Sequence, residues 1–194
     1  MSRLLLNRWL AGCALLGLLS LLMAVDGAEK APADEIKLTE ANWDDVQKVV
    51  AASKGKVVVL DIWSTACQPC MEEFPHLVRL QQSRPDVVCI ALSVDYAGIR
   101  SKPPKFYRER VEEFLKEQKA GAVQNFLCNL PADELFEALE LDSIPAVYVY
   151  GVDGKVAKRF DNTTPSKPGA EGISYETQIL PFIERLQPAA KPAK

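Results

Sequence analysis

The stretch that most constrains this chain runs from Val57 to Leu80. It opens with an aliphatic, β-branched run, Val57 to Ile62, interrupted only by Asp61. Polar residues follow, then Cys67-Gln68-Pro69-Cys70, then Met71, Phe74, Leu77 and Val78 at helical spacing. A short apolar run bounded by polar residues predicts a fully buried strand, and the spacing after it predicts a helix. The two cysteines therefore fall at a helix entrance, directly after a central strand.

That placement carries chemistry. The first turn of a helix offers unpaired N–H groups and the positive end of the macrodipole, and both favour a thiolate over a thiol. Cys67 is expected at the exposed start, as the nucleophile. Cys70 lies on the same helical face, where it can close a small disulfide onto Cys67 and resolve a mixed disulfide. The alternatives are a structural disulfide or half of a metal site. No second cysteine pair has metal spacing, and the single histidine, His76, leaves Cys/His zinc chemistry little to draw on. A Cys-x-x-Cys beside a βαβ pattern reads as a redox signal. Asp61 stands in an otherwise apolar strand, where an unpaired charge is costly and its pKa should rise. It is expected either to relay the Cys70 proton or to be a polar residue satisfied by a local hydrogen bond.

The remaining chain supplies a frame. Arg3 and Arg8 precede an apolar segment, Trp9 to Val25, which reads as a signal peptide cut after Gly27 or Ala28, or as an uncleaved anchor. Cys13 lies at the start of that segment and reads as membrane-buried. Residues 29–36 read as a linker. A helix is expected from about Leu38, with Thr39 as N-cap, Glu40 in its first turn, and Trp43, Val46 and Val50 inward. Val87 to Val94 reads as a second buried strand, which with the first gives a parallel pair. A loop at 95–104 leads to a helix from Phe106 to Gln118 that buries Phe106, Val111, Phe114 and Leu115. A strand at 125–130, a helix from Pro131 to Leu141, and a hairpin of 146–150 with 155–160 across Asp153-Gly154 follow. A Pro/Gly/Ser loop at 163–172 precedes a closing helix at 175–186 and a disordered tail at 188–194. Cys89 and Cys128 sit in apolar strands and read as buried thiols, with a second disulfide as the alternative.

At 194 residues there is room for one domain with a real core beside the N-terminal segment. A net charge of -3 gives no reason to expect nucleic acid or an anionic membrane surface as a partner.

These motifs resemble the thioredoxin superfamily. Asp61 lies where that family carries a buried carboxylate, Trp63 matches its tryptophan ahead of the first cysteine, and Pro75 matches the proline of its active-site helix. Ile144-Pro145 before Ala-Val-Tyr-Val-Tyr resembles its cis-proline loop. Ala66 and Gln68 depart from the usual tryptophan and glycine. The resemblance covers roughly residues 37–186, and the extra helix and strand between Asp95 and Leu130 resemble the insertion of exported TlpA/ResA-type proteins.

The resemblance implies an α/β, thioredoxin-like fold at 37–187: a central mixed sheet flanked by helices, with a helix–strand insertion after the second strand. It implies an exported thiol–disulfide oxidoreductase, periplasmic or anchored facing outward, that reduces protein disulfides, for instance in cytochrome c maturation or general thiol reduction. Cys67, Cys70 and Asp61 would be catalytic. Trp63, Gln68, Pro69, Ile144 and Pro145 would shape the substrate site, with Pro145 cis, Pro69 limiting flexibility and Trp63 chiefly packing. No cofactor or metal is implied. The partners would be protein disulfides and an upstream dithiol donor, one in the membrane being an option. The competing readings on this fold are a Sco-type copper module, which needs a wider cysteine spacing and a distal histidine, a peroxidase, and a non-catalytic binding domain stapled by the disulfide.

Overall fold

The structure is a computed structural model that describes residues 35–161 and 172–186. The expected signal or anchor at 1–28 with Cys13, most of the linker, most of the 163–172 loop and the 188–194 tail lie outside the described residues. Among the described residues, no helix is long and apolar enough to cross a membrane.

A six-stranded mixed sheet carries the site. Its strands are β1 (Leu38–Ala41), β2 (Val57–Trp63), β3 (Val87–Ser93), β4 (Gln124–Cys128), β5 (Ala146–Tyr150) and β6 (Val156–Phe160), in the spatial order β1-β4-β3-β2-β5-β6. Every residue of β2 is buried, because β2 pairs in parallel with β3, antiparallel with β5, and has helices over both faces. That is why its sequence does not alternate. Helix α1 (Trp43–Ala52) and helix α4 (Ala132–Leu139) pack Val46, Val50 and Leu135 against Val58, Leu60 and Ile62 on one face. Helix α2 (Gln68–Ser83), helix α3 (Pro104–Glu117) and helix α5 (Leu180–Leu186) pack Phe74, Leu77, Val111, Leu115 and Ile183 against Val57, Val59 and Trp63 on the other. The parallel β2 and β3 end at one rim of the sheet and the antiparallel β5 begins there, so the Cys67 and Pro145 loops meet although 77 residues separate Cys67 from Ile144.

Three expectations are corrected. Residues 38–41 form strand β1, paired in parallel with β4, rather than the start of a helix. Helix α1 is capped by Asn42 and not Thr39: Asn42 Oδ1 accepts the Asp45 N–H at 2.9 Å, and Asp45 returns a bond to the Asn42 N–H. Such a reciprocal cap fixes a helix start more firmly than a lone hydroxyl. Helix α3 buries Tyr107, Val111 and Leu115, while Phe106 is 55% exposed. The inward stripe at i, i+4, i+8 begins one residue later than the sequence suggests, which turns Phe106 to solvent.

At the C-terminal end, Tyr175–Ile179 is a π-helical turn that continues into α5. Pro181 has no N–H to give an ordinary turn, and Ile179 N–H reaches back to the Ser174 carbonyl five residues earlier. The β5–β6 hairpin closes through Gly154, whose φ of +77° is where glycine is free of Cβ strain.

Candidate active site

Strand β2 ends at Trp63, and three residues carry the chain to Cys67, which caps α2 with its own sulfur: the Cys70 N–H lies 3.2 Å from Cys67 Sγ. The linker is tightly tied. Ser64 Oγ accepts the Ala66 N–H, and the Ser64 carbonyl accepts the Cys67 N–H. Thr65 is held at both its N–H and its hydroxyl by the carboxylate of Asp95. Asp95 also accepts from Ser93 Oγ at 2.7 Å and pairs with Arg110 at 2.6 Å. These four donors on one buried carboxylate anchor the approach to Cys67 to β3 and α3.

Cys67 and Cys70 form a disulfide with their Cα atoms 5.2 Å apart. Cys67 is half-buried while Cys70 is only 3% exposed, so an incoming sulfur can reach the first and not the second. Cys67 Sγ lies 3.7 Å from the carbonyl oxygen of Ile144, whose peptide bond to the buried Pro145 is cis. Gln68 and Pro69 are exposed beside the disulfide, with Gln68 Nε2 donating to Glu72. Pro75 sits inside α2 and withholds the N–H that would reach the Met71 carbonyl.

Trp63 takes a different place from the one expected of a substrate-site residue. It is 1% exposed, with Phe74 and Phe114 rings at 4.7 and 4.9 Å, so it supports the site from beneath and offers no surface to a substrate. Its stiff aromatic packing holds the end of β2 against α2 and α3.

Asp61 is 3% exposed on the same sheet face as Trp63. Burial raises its carboxyl from 3.8 to about 7, opposed by a hydrogen bond from Tyr175 and reinforced by nearby Glu73. The Tyr175 hydroxyl donates to Asp61 Oδ2 at 2.7 Å, while Oδ1 is buried with no hydrogen-bond partner. Tyr175 is itself positioned by Glu73, which accepts its backbone N–H at 2.8 Å. Asp61 is therefore not the isolated charge its strand suggested. Tyr175, Glu73 and Asp95 all escaped the reading of the sequence.

His76 lies on α2 against the C-terminal turn, its ring stacked on Tyr175 and its Nδ1 2.8 Å from Arg79 Nη2. Cys89 and Cys128 are free, buried and in the two opposite cores, so the sheet stands between them and they do not pair. Burial pushes both thiols up, with Asp61 adding to the effect at Cys89, which keeps them protonated and inert. Among the described residues, no group of three or more His, Cys, Asp or Glu side chains could hold a metal ion.

A parallel β2-α2-β3 unit, an antiparallel β5 entered through a cis-proline, and a Cys-x-x-Cys disulfide at the cap of α2 define a thioredoxin-like fold whose cysteine pair fits a redox-active site. No protein-family model matches the chain. It is 28% identical over 108 residues to the thiol-disulfide oxidoreductase ResA of Bacillus subtilis, covering 54% of this chain and 52% of ResA. It is 27% identical over 97 residues to the thioredoxin-like protein YneN of the same organism, covering 44% of this chain and 55% of YneN. The chain thus spans about half the length of these curated relatives. Among solved structures it is similar to a putative thiol:disulfide interchange protein DsbE from Chlorobium tepidum, at 18% identity and a TM-score of 0.48 over 69% of this chain and 81% of that one. It is also similar to StoA from Bacillus subtilis, at 20% identity and a TM-score of 0.41 over 55% of this chain and 73% of that one. The fold is thioredoxin-like, and the chain is similar to thiol-disulfide oxidoreductases of the ResA kind.

Proposed function

We propose that this chain is an exported reductase of protein disulfides. The observation that carries the reading is the asymmetry of the cysteine pair: Cys67 half-buried at a helix N-cap, Cys70 buried behind it, and the Ile144 carbonyl beside the reactive sulfur. In the reduced protein the helix end favours the Cys67 thiolate. That thiolate attacks one sulfur of a substrate disulfide, forming a mixed disulfide and expelling the first substrate thiolate, which takes a proton from water. Cys70 then passes its proton to Asp61 and attacks Cys67 Sγ, expelling the second substrate thiolate, which is protonated from water as Asp61 returns its proton to solvent. The substrate gains two electrons and two protons, and the enzyme dithiol becomes the Cys67–Cys70 disulfide. A dithiol donor protein must reduce it again.

In this reading residues 1–28 export or anchor the chain, 29–36 link it, and 37–187 are the catalytic domain, with α3 and β4 as its insertion. Gln68, Pro69, Ile144 and Pro145 form the substrate rim. The reductase direction follows from Pro69, since the reducing members of this superfamily are the ones the motif resembles.

Cys70→Ser is expected to accumulate substrate proteins as mixed disulfides on Cys67, because resolution needs the second thiol. Non-reducing electrophoresis of the full chain expressed in an extracytoplasmic compartment, followed by mass spectrometry of the adducts, checks this. Recovery of no adducts from Cys70→Ser, under conditions where its Cys67 is alkylated readily, would count against a protein substrate.

A further inference from the structure

We propose that Tyr175 is a positioning residue for the proton acceptor of the redox cycle: its phenol binds one oxygen of Asp61 and sets the pH at which Asp61 can take the Cys70 proton. The inference rests on the reductase reading above and adds a residue that the active-site motif does not contain.

The geometry is closed and specific. Tyr175 and Asp61 are 1% and 3% exposed, and their 2.7 Å bond joins residues 114 apart in the chain. The phenol keeps its proton and is available to donate, because burial first, and then the neighbouring Asp61, drives its own ionisation well above the ordinary range. Donation to Oδ2 leaves Oδ1 without a partner, and Asp61 lies between Val59 and Trp63 in sequence on β2, both of which share one core with Cys70. A buried carboxylate with one oxygen held and the other free can accept a proton, since the free lone pairs take it without breaking the existing bond.

The groups that face Asp61 from each packed element are known. Helix α2 contributes Glu73, which disfavours the charged carboxyl, and β3 contributes the neutral Cys89. The C-terminal π-turn contributes Tyr175, which favours the charged form. Tyr175 is also clamped from two sides: Glu73 accepts its N–H, and the His76 ring stacks on it at an interplanar angle of 10°. The two neighbours thus act on Asp61 with opposite signs, and the sequence separation makes the C-terminal segment a part of the site.

The test uses the full chain and two near-isosteric variants. Tyr175→Phe keeps the ring and removes the donor, while Glu73→Gln keeps an acceptor for the Tyr175 N–H and removes the charge. Single-turnover reduction of a disulfide-bonded model peptide by the pre-reduced protein is followed from pH 5 to 9, and the Asp61 carboxyl is titrated by carbon-13 NMR with Asp61→Asn fixing its assignment. In Tyr175→Phe both midpoints are expected to rise by about one pH unit, so that the rate at pH 7 falls about fivefold. In Glu73→Gln both are expected to fall. An unmoved Asp61 titration in Tyr175→Phe, or an equal loss of rate at every pH, would overturn the proposal. The titration needs no turnover, so a wild-type protein that fails to reduce the peptide sinks the reductase reading while the Tyr175–Asp61 coupling is still read directly.

Discussion

Replacing Cys67 with serine is expected to abolish disulfide exchange and to leave the fold standing. The reacting sulfur is the one at the mouth of the site, and serine at neutral pH has neither a populated anion nor a disulfide to form, so turnover of a peptide disulfide should fall by at least about 10³-fold. The structural cost is small for two reasons. Serine is among the best N-cap residues, so its hydroxyl can take over the Cys70 N–H that Cys67 Sγ now accepts. The Cys67–Cys70 bond closes a loop with a sequence separation of 3, and loop-closure entropy assigns so short a loop no more than about 2 kcal/mol. A protein in which the disulfide were only a staple would show the reverse pattern, with folding lost and no activity to lose. Thermal unfolding and peptide turnover measured on the same preparation separate the two.

The second large effect is at Asp61, where activity and stability should move in opposite directions. The folded carboxyl titrates at about 7 against an ordinary 3.8, so folding favours its protonated form. The sign follows from that. The unfolded chain releases this proton near pH 4 and the folded chain holds it to about pH 7, so the contribution to stability falls across that interval and reaches its floor above pH 7. Asp61→Asn removes the penalty while retaining an acceptor for the Tyr175 hydroxyl. The variant should match the wild type near pH 4 and be more stable by up to about 4 kcal/mol at pH 8, an upper figure for a group this buried. Its rate of mixed-disulfide resolution should fall by about 10²-fold, the usual loss when a positioned proton acceptor is removed. Denaturant titrations at pH 4 and 8 check the first statement. Equal stabilities at pH 8 would mean that the carboxyl is not charged at a cost in the fold.

A destabilising group kept at a working site fits the wider trade between stability and activity. The surrounding structure shows where the cost is limited. Tyr175 donates one hydrogen bond to Asp61, whereas the carboxylate of Asp95 is met by Thr65, Ser93 and Arg110. Two buried acids one strand apart are thus treated oppositely, one satisfied and one left half-satisfied.

What could be read from the sequence was local. The run from Val57 to Cys70 and on to Val78 specifies strand, turn and helix through its own periodicity, and the cysteine spacing needs no distant residue. Failures came where the deciding partner was remote or the signal short. Leu38 to Ala41 is a four-residue strand whose only evidence is its pairing with β4, and Thr39 beside Glu40 imitates a helix start. Phe106 and Tyr107 differ by one step of helical phase, which an aromatic pair does not resolve. The spacing of Trp63 to Cys67 is visible in the sequence and marks it as chiefly packing beside the substrate site, whereas its enclosure by Phe74 and Phe114 comes only from the fold. Tyr175 carried no signal at all: it stands in a polar stretch after a Pro/Gly-rich loop, and only the fold brings it to Asp61.

The measurement closest to the central claim is the equilibrium of the Cys67–Cys70 couple in the full chain, read by quantitative thiol alkylation across glutathione buffers of graded ratio. The account predicts a single two-electron transition with a potential near that of reducing thioredoxins, roughly −270 mV. A value near about −120 mV would make the protein an oxidant and contradict the proposed direction. A pair that does not cycle would contradict the redox function itself.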